Sequence, residues 1–266
     1  MRLRDSIGLN FAPFILRLVL GLTFIWAGAG KFFADASFTP EQTARLAAMG
    51  VNVPGGTAAN LPLDDDPVGV GDETEPESQA EDSAEDEPGA AESGLIDDPL
   101  VDAYPDGTTL RRVYGLALLI DRSAHPGFND DGVEPMALWP AEAATGKWPV
   151  WIALAAGITE LLAGVVLLAG FFTRFAALSL VGVMVAAIWL TQIGPAIQGQ
   201  DALLGFLPNN DLYDTGAWMP LLWQVSLLGS ALATMLLGAG AMSLDAVIFS
   251  SPPSRSRRRH EGESED

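Results

Sequence analysis

Three charged side chains interrupt apolar stretches that are otherwise uncharged in this 266-residue chain. Arg17 and Lys31 lie in one stretch, and Glu160 lies in another. On membrane-insertion scales, an unpaired charge in such a stretch costs roughly 2.5–3.5 kcal/mol. An acid and a base that meet there can fix the packing of two helices, bind the polar group of a ligand or pass a proton. We therefore treat these side chains as a candidate intramembrane ion pair or ligand site, with no catalytic residue identified.

The charges share their helix faces with small residues. On the first stretch the face consists of Arg17, Gly21, Phe24, Gly28 and Lys31, spaced by 4, 3, 4 and 3 residues. On the second it consists of Ala153, Gly157, Glu160 and Gly164, spaced by 4, 3 and 4 residues. Residues with this spacing lie on one side of a helix, and glycines there allow a second helix to approach closely. We expect the four glycines to pack the two helices together.

The partner of Glu160 is one of two bases. If the helices are antiparallel, with level ends at residues 12 and 172, Glu160 lies about 10 Å from the level of either Arg17 or Lys31. We favour Arg17, because its planar guanidinium matches a carboxylate and because Lys31 can extend to the membrane surface. Lys31 is the second choice. The pair either fixes helix register only or forms a ligand or proton site.

Four apolar stretches must position these groups. They cover residues 12–33, 148–172, 175–193 and 217–242, and each is about as long as the roughly 20 residues that cross a bilayer. The sequence therefore predicts an all-α membrane protein, a four-transmembrane-helix bundle. Polar residues of the third and fourth stretches, such as Thr191 and Gln224, are expected to hydrogen-bond between helices or to their own helix backbone.

The net charge of −20 comes largely from one loop. Residues 61–102 hold 16 Asp or Glu and no Lys or Arg, and segment 55–102 is predicted to be disordered because it has little apolar surface to bury. It belongs to a long loop, residues 34–147, in which residues 39–50 and 108–122 suit short amphipathic helices. The acidic run could bind calcium or a basic partner, but a solvated spacer is favoured. A strongly acidic chain is a poor nucleic-acid binder.

The arginines indicate the orientation. Arg2 and Arg4 precede the first stretch, Arg174 lies between the second and third, and four arginines occur in residues 255–259. The connection 194–216 has no Lys or Arg. The positive-inside rule places both termini in the cytoplasm and the loops 34–147 and 194–216 outside. The tail 250–266 is predicted to be disordered. A signal peptide cleaved after Ala36 is the alternative.

Redox and metal ligands are scarce. The chain has no cysteine, and its two histidines, His125 and His260, lie outside the apolar stretches. Neither a thiol relay nor a bis-histidine haem within the bilayer can be built from this chain alone. We expect no intrinsic cofactor and no metal site.

The motifs resemble the DoxX family of membrane proteins. The resemblance rests on three segments: LRLVLGLTFIWAGAGK at residues 16–31, ELLAG with GFFTRFAA at residues 160–177, and LGAGAMSLD at residues 237–245. It implies a multi-pass protein of a prokaryotic plasma membrane, acting as an accessory or scaffold subunit of a quinone-linked oxidoreductase, with quinone as a candidate ligand. Relatives with a Cys-x-x-Cys motif are a poor guide here, and neither the acidic segment nor the arginine tail is covered.

Two hypotheses remain open. The chain is either such an accessory subunit or a non-enzymatic membrane adaptor or lipophile-binding protein. The expected partners are the lipid bilayer, other oxidoreductase subunits and a second copy of the chain, with no nucleic acid. An optical spectrum and quinone extraction of the purified protein separate the two hypotheses.

The topology can be tested with single cysteines, because the natural chain has none. In intact cells, an impermeant thiol reagent should label a Ser83→Cys variant and should leave a Ser256→Cys variant unlabelled until the cells are opened. Labelling of the Ser256→Cys variant in intact cells would contradict the cytoplasmic C-terminus.

Overall fold

A computed structural model describes residues 3–54, 101, 103–128, 132–199, 202–238, 240 and 243–245. The tail 250–266 and all of the acidic segment 55–102 except Val101, which were predicted to be disordered, lie outside the described residues. The chain divides into two compact units, residues 1–36 with 111–266, and residues 37–110.

The described part of the larger unit is mainly helical. Its helices are listed here with their bounds: α1 Leu3–Phe33, α3 Val113–Ala124, α4 Trp148–Ala169, α5 Thr173–Ile188, α6 Gly194–Gln198 and α7 Thr215–Leu237. A π-helical turn, Trp189–Ile193, joins α5 to α6. The segments Phe11–Phe33, Trp148–Ala169, Thr173–Gln198 and Thr215–Leu237 are long and apolar enough to cross a membrane. The predicted class, a four-transmembrane-helix bundle, is confirmed.

Two spanning helices end earlier in the chain than predicted. Helix α4 ends at Ala169 rather than at 172, because Gly170 takes a left-handed conformation, with φ 67°. Helix α7 ends at Leu237 rather than at 242, because Gly238 leaves the helical region with φ 77°. Such glycines are favoured just after helix ends. The turn after α4 therefore occupies residues that a hydropathy reading assigns to the membrane.

The smaller unit contains one described helix, α2 (Pro40–Ala48). Thr39 accepts a hydrogen bond from the backbone N–H of Gln42, and the Gln42 side chain bonds back to Thr39 N, which together form a capping box. The short strands β1 (Asp35–Phe38) and β2 (Thr108–Arg111) pair with each other.

The apolar pattern predicted one amphipathic helix over residues 108–122, and this prediction is wrong. These residues form strand β2 followed by α3, whose apolar residues Val113, Ala117 and Ile120 are buried. Helix α3 packs against the spanning helix α4. The apolar face of α3 is therefore covered by protein rather than by lipid.

Glycines set the distance between α1 and α4. A Cβ atom at Gly28 would lie 2.9 Å from the backbone nitrogen of Leu161, and one at Gly21 would lie 2.9 Å from the carbonyl oxygen of Gly164. Contact at backbone level leaves little room for relaxation, because neither helix can yield as a flexible side chain would. The two helix backbones are therefore held in one register.

A remote carboxylate closes the turn between α4 and α5. Asp245 accepts hydrogen bonds from the backbone N–H groups of Phe172 at 2.8 Å and Thr173 at 3.1 Å. Its own N–H donates to the carbonyl oxygen of Gly170 at 3.0 Å. Asp245 thus satisfies free donors at the start of α5, and it ties the segment that follows α7 to the far end of α4.

The α1–α4 contact can be tested with a matched pair of alanine substitutions. Gly28→Ala should lower the free energy of unfolding by about 1–3 kcal/mol, because the new methyl group overpacks against the Leu161 backbone. Gly30→Ala is the control, since a Cβ there meets nothing within 4 Å. Thermal unfolding in detergent measures both variants. Equal stability of the two would contradict the close approach.

Candidate functional site

An ion pair joins α1 to α4 inside the membrane-spanning region. The Lys31 Nζ ammonium donates a hydrogen bond to Glu160 Oε2. The Glu160 side chain is 5% exposed and that of Lys31 is 28% exposed. The acid is therefore enclosed, whereas the ammonium keeps an open side.

Small residues make room for this pair. A Cβ at Gly157 would lie 3.0 Å from the ring of Phe32 and 3.7 Å from the Lys31 side chain. The absence of a side chain at Gly157, one turn from Glu160, lets the end of α1 lie against α4. All four glycines predicted to pack helices, Gly21, Gly28, Gly157 and Gly164, contact the opposite helix of this pair.

The sequence analysis favoured Arg17 as the partner of Glu160, but the structure pairs Glu160 with Lys31. The Arg17 guanidinium lies beside Gly170, where a Cβ would collide with Nη1, and it is close enough to Asp245 for an electrostatic interaction. Gly170 lies about 15 Å from Glu160 along the axis of α4, at 1.5 Å per helical residue.

The physical reason for this error is helix register. The prediction set residue 12 level with residue 172, whereas the contacts of Gly21 with Gly164 and of Gly28 with Leu161 bring Arg17 to the level of the turn after α4. The same shift brings Lys31 to the level of Glu160. Arg17, which is 2% exposed, consequently belongs to the Asp245 turn and not to the ion pair.

A cleft of about 450 Å³ adjoins the ion pair. Helices α1, α4, α5 and α7 contribute its walls, which are apolar except for Thr23, Lys31, Glu160 and Gln224. Trp26 and Trp223 also line it, and they are 80% and 59% exposed. Because these two exposed side chains come from α1 and α7, the cleft opens between those helices on the side that lipid covers.

Gln224 was predicted to hydrogen-bond either to another helix or to its own helix backbone. The first of these alternatives is confirmed, since its Nε2 donates to Thr191 Oγ1 at 3.0 Å. Thr191 lies in the π-helical turn and also donates to the carbonyl oxygen of Ala187. The position of Gln224 in the cleft wall could not be found from the sequence, because it depends on which face of α7 meets α5.

The arrangement favours binding of a molecule that is mostly apolar and carries a hydrogen-bond acceptor. A lysine ammonium has three donors, of which Glu160 takes one, and the side chain is partly open toward the cleft. Among the described residues, no group of three or more His, Cys, Asp or Glu side chains could hold a metal ion.

The helices and the cleft define the class: this is a multi-pass helical membrane protein with an intramembrane ion pair beside a lipid-facing cleft. Residues 112–193 match the family model described as DoxX. The chain is therefore similar to DoxX proteins over these residues, and the predicted family resemblance is confirmed there. The match includes Glu160, α3, α4 and α5, whereas the motifs at residues 16–31 and 237–245 lie outside it. No curated protein and no solved structure matches the chain.

The ion pair predicts an asymmetry between its two members. Lys31→Met should lower the free energy of unfolding by about 3–5 kcal/mol, because it leaves a buried carboxylate without its ammonium. Glu160→Gln should cost less, because Lys31 lies near the end of α1 and can extend toward the membrane surface.

Unfolding of the double variant completes this test. Lys31→Met combined with Glu160→Gln should recover part of the loss, because no buried charge then remains unpaired. If the losses of the two single variants simply add, the side chains do not interact. Equal losses for the single variants would contradict the difference in burial.

Proposed function

We propose that this protein is an accessory or scaffold subunit of a quinone-linked oxidoreductase system, and that it holds a quinone in the cleft beside Lys31 and Glu160. The observation that carries the proposal is a mainly apolar cleft that opens toward lipid and has an ammonium group on its wall. A quinone is apolar over most of its surface and carries two carbonyl oxygens. Lys31 would donate a hydrogen bond to one of those oxygens, while the apolar side chains cover the ring.

In this proposal the chain binds and positions, and its partners transfer electrons. The cleft walls consist of hydrocarbon, aromatic, hydroxyl, amide, ammonium and carboxylate groups and the thioether of Met184, and the chain has no cysteine. Electron exchange with the quinone would then be the task of another subunit docked near the opening between α1 and α7. The proposed location is a prokaryotic plasma membrane, with both termini in the cytoplasm.

The second candidate is a non-enzymatic lipophile-binding or adaptor protein. The same cleft supports it, because Lys31 could equally donate to a carbonyl or phosphate oxygen of another lipid. The two candidates differ in which chains and lipids copurify from native membranes. Redox subunits together with quinone support the first candidate, whereas lipid without redox partners supports the second.

Quinone binding can be tested by filling the cleft. Ala27 lines it, so Ala27→Phe should abolish retention of ubiquinone or menaquinone by the purified protein. Ala155 is exposed on α4 and does not line the cleft, so Ala155→Phe is the matched control and should leave retention unchanged. Quinone extracted from each variant in lipid nanodiscs is measured by its absorbance.

Removing the charges tests the role of the ammonium group. The double variant Lys31→Met with Glu160→Gln should weaken quinone binding at least about tenfold, since a hydrogen bond from a charged group contributes about 1.5–3 kcal/mol. If both this variant and Ala27→Phe bind quinone as strongly as the natural chain does, the quinone does not occupy this cleft.

A further inference from the structure

The connection between the third and fourth spanning segments ends in an exposed apolar tip. Strands β3 (Ala202–Leu203) and β4 (Leu207–Pro208) pair antiparallel as a short hairpin. The side chain of Leu204 at its turn is 77% exposed, and those of Leu203 and Phe206 are 46% and 48% exposed. The hairpin tip therefore exposes about half or more of each of three large apolar side chains.

The backbone at this tip is unfavourable for leucine. Leu204 has φ 56° and the following Gly205 has φ 83°, while N–H groups of Gly205 and Phe206 bond back across the turn at 3.2 and 3.3 Å. The loop between the paired residues Leu203 and Leu207 has three residues, Leu204, Gly205 and Phe206. Two successive residues with positive φ in a hairpin turn are usually Asn-Gly or Asp-Gly. A bulky residue with positive φ is a true outlier, and strain of this kind points to a role for the side chain.

The hairpin lies close to the ends of two spanning segments. Sixteen residues separate Gln198, the end of the third segment, from Thr215, the start of the fourth. The residues that follow the hairpin are hydrogen-bonded to α7. Asn210 donates to the carbonyl oxygen of Ala217 at 3.2 Å, and Trp218 donates to the carbonyl oxygen of Asp211 at 3.0 Å. Asp214 caps α7 through the N–H groups of Gly216 and Ala217.

We propose that the tip formed by Leu203, Leu204 and Phe206 inserts into the interfacial layer of the bilayer leaflet at this end of the bundle. The occupant of the apolar surface is lipid, because the hairpin adjoins helix ends where the membrane surface must lie. The lipid-facing side of α7 begins nearby with Met219 and Leu222, which are 63% and 59% exposed. Apolar side chains at this level gain stability by entering the headgroup and acyl boundary.

The charge pattern agrees with shallow insertion. Residues 194–216 contain no Lys or Arg, so attraction to anionic headgroups cannot hold the hairpin at the surface. Asp211 and Asp214 lie between the hairpin and α7 and are exposed, and carboxylates stay in water. The tip should therefore enter the interface through its apolar side chains alone and should do so in uncharged phosphatidylcholine.

Single-cysteine fluorescence tests this proposal, because the natural chain has no cysteine. Leu204→Cys is labelled with an environment-sensitive fluorophore and reconstituted into phosphatidylcholine vesicles that contain doxyl-labelled lipid. Leu222→Cys on the exposed side of α7 is the lipid-facing control, and the exposed Glu142→Cys is the control for a position in water.

We expect doxyl lipid to quench the fluorescence of labelled Leu204→Cys as it does that of Leu222→Cys. Iodide in the water should quench it only weakly. Iodide quenching equal to that of Glu142→Cys, with no quenching by doxyl lipid, would overturn the proposal and leave the tip as a surface for another protein. Leu203→Cys supplies a second probe of the same tip if the turn does not tolerate the first. The result does not depend on quinone binding.

Discussion

The backbone-level contact between α1 and α4 is the constraint on which the rest of the larger unit depends. Gly28 against Leu161 and Gly21 against Gly164 leave no space for a methyl group, so the two helices are restricted in both distance and register. Once that register is set, the position of each charged residue along the helix pair is fixed. Lys31 meets Glu160, and Arg17 is carried to the turn beyond the end of α4.

Each end of the helix pair consequently has its own polar arrangement. At one end, a partly open ammonium meets an enclosed carboxylate beside a cleft. At the other, Arg17 lies near a carboxylate that already caps α5 and bonds to the turn after α4. The second arrangement closes the structure, because Asp245 joins the segment after α7 to the α4–α5 turn. The first leaves an open polar surface, and this difference makes the Lys31 end the better candidate for ligand binding.

The cleft follows from the same packing. Helix α1 lies tightly on α4, and α7 packs on α5, whereas α1 and α7 approach each other with exposed tryptophans at the opening. A bundle of this kind has one weakly closed side. The proposed quinone site occupies it, and the lipid-facing position gives an apolar ligand a route that does not pass through water. The apolar hairpin would hold another part of the bundle at the membrane surface.

Much of the fold could be predicted from local patterns, because the membrane requires long apolar helices whose backbone groups are satisfied within the helix. The four spanning segments, the packing glycines, the charged side chains and the resemblance to DoxX proteins all follow from residue types and spacing. The pairing of Lys31 with Glu160 could not be predicted, since both bases lie at similar distances from the acid until the register of α1 on α4 is known. The roles of Gln224 and Asp245 were likewise decided by tertiary structure, because each side chain meets a partner from a distant part of the chain. Sequence thus determined which groups the membrane-spanning helices carry, and only helix packing at backbone contact decided which of them meet.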